Sequence, residues 1–307
     1  LLHYLTGAPM GSFRHRRWHA GPDAFIRAAE DAARRNNVSI RTDAEVAQIT
    51  VRDDAVTGVV LSNGEEIPAT CVLSTVDPAR TLMRMIDPVW LDPEFLHAVR
   101  NIKFRGCTSY VLYALDPLPE LPNLAAENWR SAISLTSSMT QLERAADRAK
   151  YGEVPEMPHI ELSVPTERWP ERSFAPKGRH VMVARVQYTP HQLRNAEWAA
   201  AKSEALGDQV TSAIDLAVPC LSSRILHRVV LTPRDVEERF GLTEGAHTHG
   251  ELMLDQVLFM RPVPGHDRYA MPIDGLYLGG AGTHPGPGII GGAGWLAAQR
   301  VLTDRGR

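Results

Sequence analysis

From Gly275 to Gln299 the chain carries no Asp, Glu, Lys or Arg, and Gly275–Gly294 holds nine of its 23 glycines together with Pro285 and Pro287. That combination restricts the fold more than any other stretch. A membrane-spanning helix must satisfy its backbone internally, and a segment this rich in glycine and proline cannot do so unaided. The remaining reading is a buried strand, a glycine loop and a helix. Gly275-Leu276-Tyr277-Leu278 is predicted as the strand, Gly279–Gly288 as the loop, and about 292–302 as the helix. Without Cβ atoms such a loop lets a ligand approach the backbone closely. The helix end that follows favours phosphate or developing negative charge. A tight strand-to-helix crossing that needs glycine for packing alone explains the composition equally well.

The rest of the 307 residues fits about two domains. Helical spacing of Ala24, Phe25, Ala28, Ala29 and Ala32 predicts a helix over about 22–35. A short strand is predicted at Val38–Ile40, then a meander of Glu45–Arg52, Val56–Leu61 and Ile67–Ala69, turned at Asp53-Asp54 and Asn63-Gly64. Cys71–Val76 reads as a buried strand, and Asp77-Pro78 opens a helix to about Ile86. Asp92–Val99, Asn195–Ala217 and Pro233–Phe240 read as helices; Phe104–Leu115, His159–Val164 and His180–Tyr188 read as strands. The pattern is an α/β domain over 1–76, an α+β domain of mixed or antiparallel sheet over 77–245, and a return to the first domain over 246–307.

Charge and chemistry exclude several classes. Thirty-three Lys+Arg against 36 Asp+Glu give a formal net charge of −3, which argues against a nucleic-acid partner. Cys71, Cys107 and Cys220 are odd in number and far apart, so neither a disulfide scaffold nor a CxxC metal site is expected, and a reducing, cytoplasmic setting is. No G-x-S-x-G elbow is present. His247-x-His249 would put two rings on one side of a strand, but no third ligand stands at a metal-site spacing. Arg14–His19 is a basic and aromatic cluster that reads as a solvated loop, with Arg16 or Arg17 as an arm for any nearby phosphate.

The string Leu276-Tyr277-Leu278-Gly279-Gly280-Ala281-Gly282-Thr283-His284-Pro285-Gly286-x-Gly288-x-x-Gly291 resembles the C-terminal flavin motif of phytoene desaturase and retinol saturase-type FAD enzymes. The pyridine nucleotide-disulfide oxidoreductase domain-containing branch is the one it looks like. Thr57–Leu61, Asp92–Leu96, Asp235–Leu242, Leu254-Asp255-Gln256 and Phe259–Pro264 fit the same branch, so the likeness runs over nearly the whole chain. It implies an FAD-binding Rossmann-type domain of the GR2-like kind interleaved with a substrate domain, and hydride transfer between an apolar unsaturated substrate and flavin. Gly280, Ala281, Gly282, Thr283, His284, Gly286, Gly288, Gly291, Gly292 and Ala293 would hold the cofactor, and Val46 would read its adenine. His284 is the acid–base candidate, because histidine titrates near neutral pH.

Two departures from that pattern bear on function. No GxGxxG follows an N-terminal strand, so the chain reads as the C-terminal portion of a longer relative, a fragment or a split subunit. Ala20-Gly21-Pro22-Asp23 stands where relatives carry a Gly-Gly-Met-Gly-like turn. The resemblance therefore leaves two alternatives beside a desaturase or saturase. One is a flavin amine oxidase; the other is a non-catalytic interaction module that keeps the fold. A sheet edge left open predicts pairing with an N-terminal Rossmann half or a second copy, with peripheral membrane contact as a further partner class. Tyr110, Tyr113 and Tyr188 are candidates to line a substrate cavity, and Trp295 is expected to pack.

Overall fold

The computed structural model describes residues 21–122, 125–288 and 291–306. The basic cluster Arg14–His19 lies outside them. Helix α1 (Pro22–Arg35) leads into a three-stranded antiparallel meander of β1 (Val46–Arg52), β2 (Ala55–Leu61) and β3 (Glu66–Pro68). The strand expected at Val38–Ile40 does not form; both residues are exposed, and no strand among the described residues pairs with them. β4 is shorter than expected, Val72–Ser74; the helix opens at Pro78 as expected, runs as a π turn over Arg80–Arg84 and stops two residues short of Ile86. Asp77 is buried, and its carboxylate accepts from the Arg80 and Thr243 amides and the Thr243 hydroxyl, which ties this turn to a distant part of the chain.

Helix α2 (Pro93–Arg100) starts where Asp92 accepts the Glu94 and Phe95 amides, an N-cap followed by proline. The middle of the chain builds one antiparallel sheet, ordered β6-β7-β8-β5-β9, from Ile133–Leu135, His159–Ser163, His180–Gln187, Thr108–Leu115 and Ile225–Leu231. Strict alternation drives it. On β5, Val111, Tyr113 and Leu115 are buried with Ala184, Met182 and Ile160 against α5 (Ala200–Ala217). That helix turns Leu206, Val210 and Ile214 inward at spacings of four. Each such side chain removed from water contributes about 1.5–3 kcal/mol before entropy is counted. The opposite face of the sheet, with Tyr110, Leu112, Val183 and Arg185, is only half-buried.

A second core joins Ile49 and Val56 of the meander to Leu82, Phe95, Val99 and Phe104, and then to Met271, Ile273, Leu276 and Leu278 near the C-terminus. Packing thus binds 82–104, read from the sequence with the middle domain, to the first and last segments. β10 (Leu276–Leu278) pairs in parallel with β4, Leu276 opposite Val72 and Leu278 opposite Ser74. Helix α6 (Pro233–Phe240) precedes the return, and α7 (Gly292–Asp304) closes the chain.

Five further readings are corrected. α5 begins at Ala200 rather than Asn195, and Trp198 lies before it with its indole N–H donating to the Pro190 carbonyl at 2.9 Å. β5 begins at Thr108, four residues after the expected start. Pro165–Gly178, expected as a polar loop between the strands read at His159–Val164 and His180–Tyr188, contains a helical turn, α4 (Pro165–Arg168). α3 (Met139–Lys150) and the strands β6 and β9 were not expected at all. Trp295 is 64% exposed, so it does not pack.

Candidate flavin site and its adjoining cavity

β10 is buried along its length, so the chain leaves the core as an extended strand and must turn at once into α7. The Gly279 amide donates to the Ser74 carbonyl at 2.8 Å, continuing the parallel ladder one step. A Cβ on Gly280 would stand 2.3 Å from the Thr75 carbonyl oxygen, and one on Gly282 would stand 2.4 Å from the Pro78 ring. These glycines serve the crossing itself. Thr283 is buried and its hydroxyl donates to the Gly280 carbonyl, while the Tyr269 hydroxyl donates to the His284 carbonyl at 3.1 Å.

The later glycines differ. Gly286, Gly288 and Gly291 hold φ of 93°, 140° and 66°, a region in which side chains are strained. Gly291 is the N-cap of α7, makes no side-chain cap, and would have nothing within 4 Å of an added Cβ. Among the described residues no N-cap side chain serves the first amides of this 13-residue helix. That geometry fits a phosphate or the electron-rich edge of a flat heterocycle, so the residues present fit FAD. Packing and ligand cradle, the two readings of the glycine run, therefore apply to different glycines within it.

One buried cation fastens this loop to its neighbour. Arg261 is 1% exposed, and its guanidinium donates to the carbonyls of Ala281, Gln256, Thr248, His249, Gly250 and Glu251. The segment 247–253 it holds also lies beside the loop. The His249 Cβ would be 3.4 Å from a Cβ on Gly282, and a Leu252 methyl 3.7 Å from one on Gly286.

On its other side the same segment walls a cavity of about 880 Å³. His247, Thr248, Glu251, Leu252 and Met253 line it from one side; Phe104–Thr108, the end of α3, and Arg185–Arg194 complete it. Strand β5 starts late because Gly106 crosses the Glu244 backbone, where a Cβ would stand 1.8 Å from the carbonyl oxygen. Residues 104–107 thereby become cavity wall.

The remaining candidates divide as follows. Tyr188 lines the cavity; Tyr110 lies half-buried beside Arg185; Tyr113 is core, bonded to Thr211 at 3.0 Å, and burial pushes its phenol up to about 12. His284 is on the loop and does not line the cavity. Val46 opens β1, half-buried and opposite Leu61, and no hydrogen bond among the described residues joins its strand to the loop. Gly292 and Ala293 form the first turn of α7. Gly21 holds φ 84° at the start of α1 and faces the Trp169 ring, so the divergent turn abuts the middle domain. The expectation of a strand under His247 and His249 fails: they sit in a turn after Thr243–Gly245 and face different ways, one to the cavity and one to the loop.

Burial, aided by Arg185, holds the His247 imidazole below its ordinary pKa. Burial does the same to His249, opposed by Asp77 and reinforced by Arg261 and His247. Both rings are neutral in the folded chain near pH 7, while unfolded histidines titrate near ~6.5. As pH falls, the unfolded state takes up protons first. The stability these rings contribute is therefore present above ~6.5 and is lost as pH falls through the folded values. The melting temperature is expected to fall on acidification below about pH 6.5, and less steeply in His249→Gln; equal slopes would remove His249 from the account.

Comparison with known proteins agrees with this geometry. Residues 13–302 match the family described as flavin containing amine oxidoreductase. Pyridine nucleotide-disulfide oxidoreductase domain-containing protein 2 of Rattus norvegicus is 34% identical over 99% of the chain and 54% of its own length. A phytoene desaturase of Fusarium fujikuroi is 26% identical over 92% of the chain and 50% of its own length. The chain thus spans about half the length of the curated relatives it matches. Among solved structures, an oxidoreductase from Methanosarcina mazei superposes with a TM-score of 0.55 at 17% identity, covering 92% of this chain and 54% of that one, which shows the shared fold. A match across nearly the whole sequence means that the chain belongs to the flavin-containing amine oxidoreductase family, whose cofactor is FAD.

Proposed function

We propose that the chain forms the flavin-facing half and substrate cavity of an FAD-dependent oxidoreductase that moves a hydride between a substrate carbon and the cofactor. The observation that carries this is the shared wall 247–253. It lies beside the glycine loop at Gly282 and Gly286 on one side and bounds the 880 Å³ cavity on the other. Bound FAD would supply a two-electron acceptor or donor. The amides at Gly292 and Ala293 would face the electron-rich end of its ring system, with Gly286, Gly288 and Gly291 leaving room for it. Segment 247–253, anchored by Arg261, borders both, and hydride transfer would take place where the substrate reaches past its edge to the flavin. His284 is assigned the proton that accompanies hydride transfer, with the neutral His247 in the cavity wall as the alternative carrier.

Within this reading the substrate is an unsaturated molecule with an apolar body, as the phytoene desaturase relatives suggest by name. The second reading, amine oxidation, draws on the putrescine oxidase whose fold is similar, at 12% identity and a TM-score of 0.51. β4 has one paired neighbour among the described residues, β10. The outer edge of β4 is where we place a dinucleotide-binding half that would hold the ADP end of the cofactor. The purified chain is titrated with FAD, alone and mixed with the separately expressed N-terminal half of the rat relative. Near-stoichiometric flavin retained through gel filtration is expected. FAD that stays free in both cases overturns the proposal.

A further inference from the structure

The cavity wall contains four Lys or Arg side chains, Arg105, Lys150, Arg185 and Arg194. Three are already committed. Arg105 makes a two-pronged pair with Glu251, and its amide donates to Glu244 at 2.9 Å, so both acids of the wall are engaged by one residue. Lys150 sits 2.7 Å from Asp147, and Arg194 sits 3.5 Å from Glu153. Arg185 is different. Its ionic neighbour among the described residues, Glu161, stands 3.8 Å away, beyond hydrogen-bond distance; Arg185 shares a hydrogen bond with the Tyr110 hydroxyl, and its buried Nε has no acceptor. It rises from β8 on the half-buried face of the sheet, opposite Tyr110, and its field reaches Tyr110, His247 and Cys107. A guanidinium in such a place keeps donors available in a planar fork that matches a carboxylate.

The remaining wall is largely apolar, with Phe104, Ala146, Leu193, Leu252 and Met253. Its volume suits a body much larger than an amino-acid side chain. Charge balance and shape together therefore select an amphipathic anion over either a neutral hydrocarbon or a cationic amine. An amine would meet Arg185 with Glu251 already paired to Arg105, leaving Glu244, which accepts a neutral backbone amide, against the four cations of the wall.

We propose that the cavity takes a substrate carrying a carboxylate on an extended apolar body, with Arg185 as the anchor for the carboxylate. This rests on the cavity being the substrate site of the reading above, and it names the class of molecule that site accepts. Anchored there, the body would lie along the apolar part of the wall, which includes Leu252. Arg185 acts by binding and takes no part in electron transfer.

The test titrates the chain with decanoate, decan-1-ol and decylamine by calorimetry, with and without added FAD. Decanoate is expected to bind at least about tenfold more tightly than the alcohol, and the amine more weakly than either. Arg185→Gln should erase the advantage of decanoate while leaving decanol unchanged. Glu161→Gln, which removes the neighbouring acid, should increase it. The two substitutions act in opposite directions on one ligand, a result that partial unfolding cannot produce, and thermal melts of each variant accompany the titrations. Equal binding of acid and alcohol, preference for decylamine, or a carboxylate preference that survives Arg185→Gln overturns the proposal. Decanoate selectivity in a chain that takes up no FAD would leave this inference standing and sink the flavin reading; FAD uptake without selectivity would do the reverse.

Discussion

Arg261→Met is expected to lower the free energy of unfolding by about 3–5 kcal/mol, measured by denaturant titration. The residue is 1% exposed and its donors serve six backbone carbonyls, from Thr248 to Glu251, at Gln256, and at Ala281. Methionine fills much of the space but donates nothing, so acceptors enclosed by protein lose their partner together. Each unsatisfied buried acceptor costs about 1–3 kcal/mol, and relaxation of the segment recovers part of the sum. Arg261→Lys should fall between, because an ammonium offers three donors from one point instead of five in a plane. The loss should also free the cavity wall from the loop, so amide exchange is expected to speed up at 248–251. A change below about 1 kcal/mol would mean that water replaces the guanidinium and that the wall is held by other contacts.

How much of this was legible in the sequence depends on whether local punctuation or distant packing decided the outcome. α6 runs over Pro233–Phe240 as read, because Thr232 and Asp235 cap each other's backbone at one end and Gly241 turns at φ 65° at the other. β5 and β8 announced themselves by alternation. β9 did not, because His227 and Arg228 interrupt its apolar run; Arg228 reaches over to Glu204 and Asp208 of α5, a reason invisible locally. α3 buries only Ala145, so its apolar stripe is too thin to detect. Ser138, which caps the amide of Gln141, was the available signal.

The site divides in the same way. The strand, glycine loop and helix could be read at once, since 25 uncharged residues dense in glycine leave few alternatives. Which glycines served packing could not, because Gly280 and Gly282 are constrained by Thr75 and Pro78, two hundred residues earlier in the chain. The cavity was not visible either. It draws on 104–108, 146–152, 185–194 and 244–253, and Arg185 stands out only once Arg105 is seen to be paired with Glu251. His247 and His249 attracted attention as a pair, yet a turn sends one to each side of the wall.

Gly291→Asp is expected to weaken FAD binding by about 10- to 100-fold while leaving stability within about 1 kcal/mol of the parent. An aspartate tolerates the left-handed conformation at φ 66°, and nothing within 4 Å obstructs its Cβ. Its carboxylate would sit at the open amides of α7, where a helix N-terminus attracts negative charge, and would offset the strain of the backbone by about the same amount. The same carboxylate then occupies the place proposed for the cofactor and repels its phosphates. Gly291→Asn separates the two effects, because it has nearly the same shape, the same tolerance of positive φ and no charge. It should keep affinity within about threefold, the loss expected from steric crowding alone at under 1 kcal/mol. Equal losses in both variants would make the site one of shape. An unchanged affinity in Gly291→Asp would show that α7 does not point its N-terminus at the flavin, and the loop would then be the packing device that its first glycines already are.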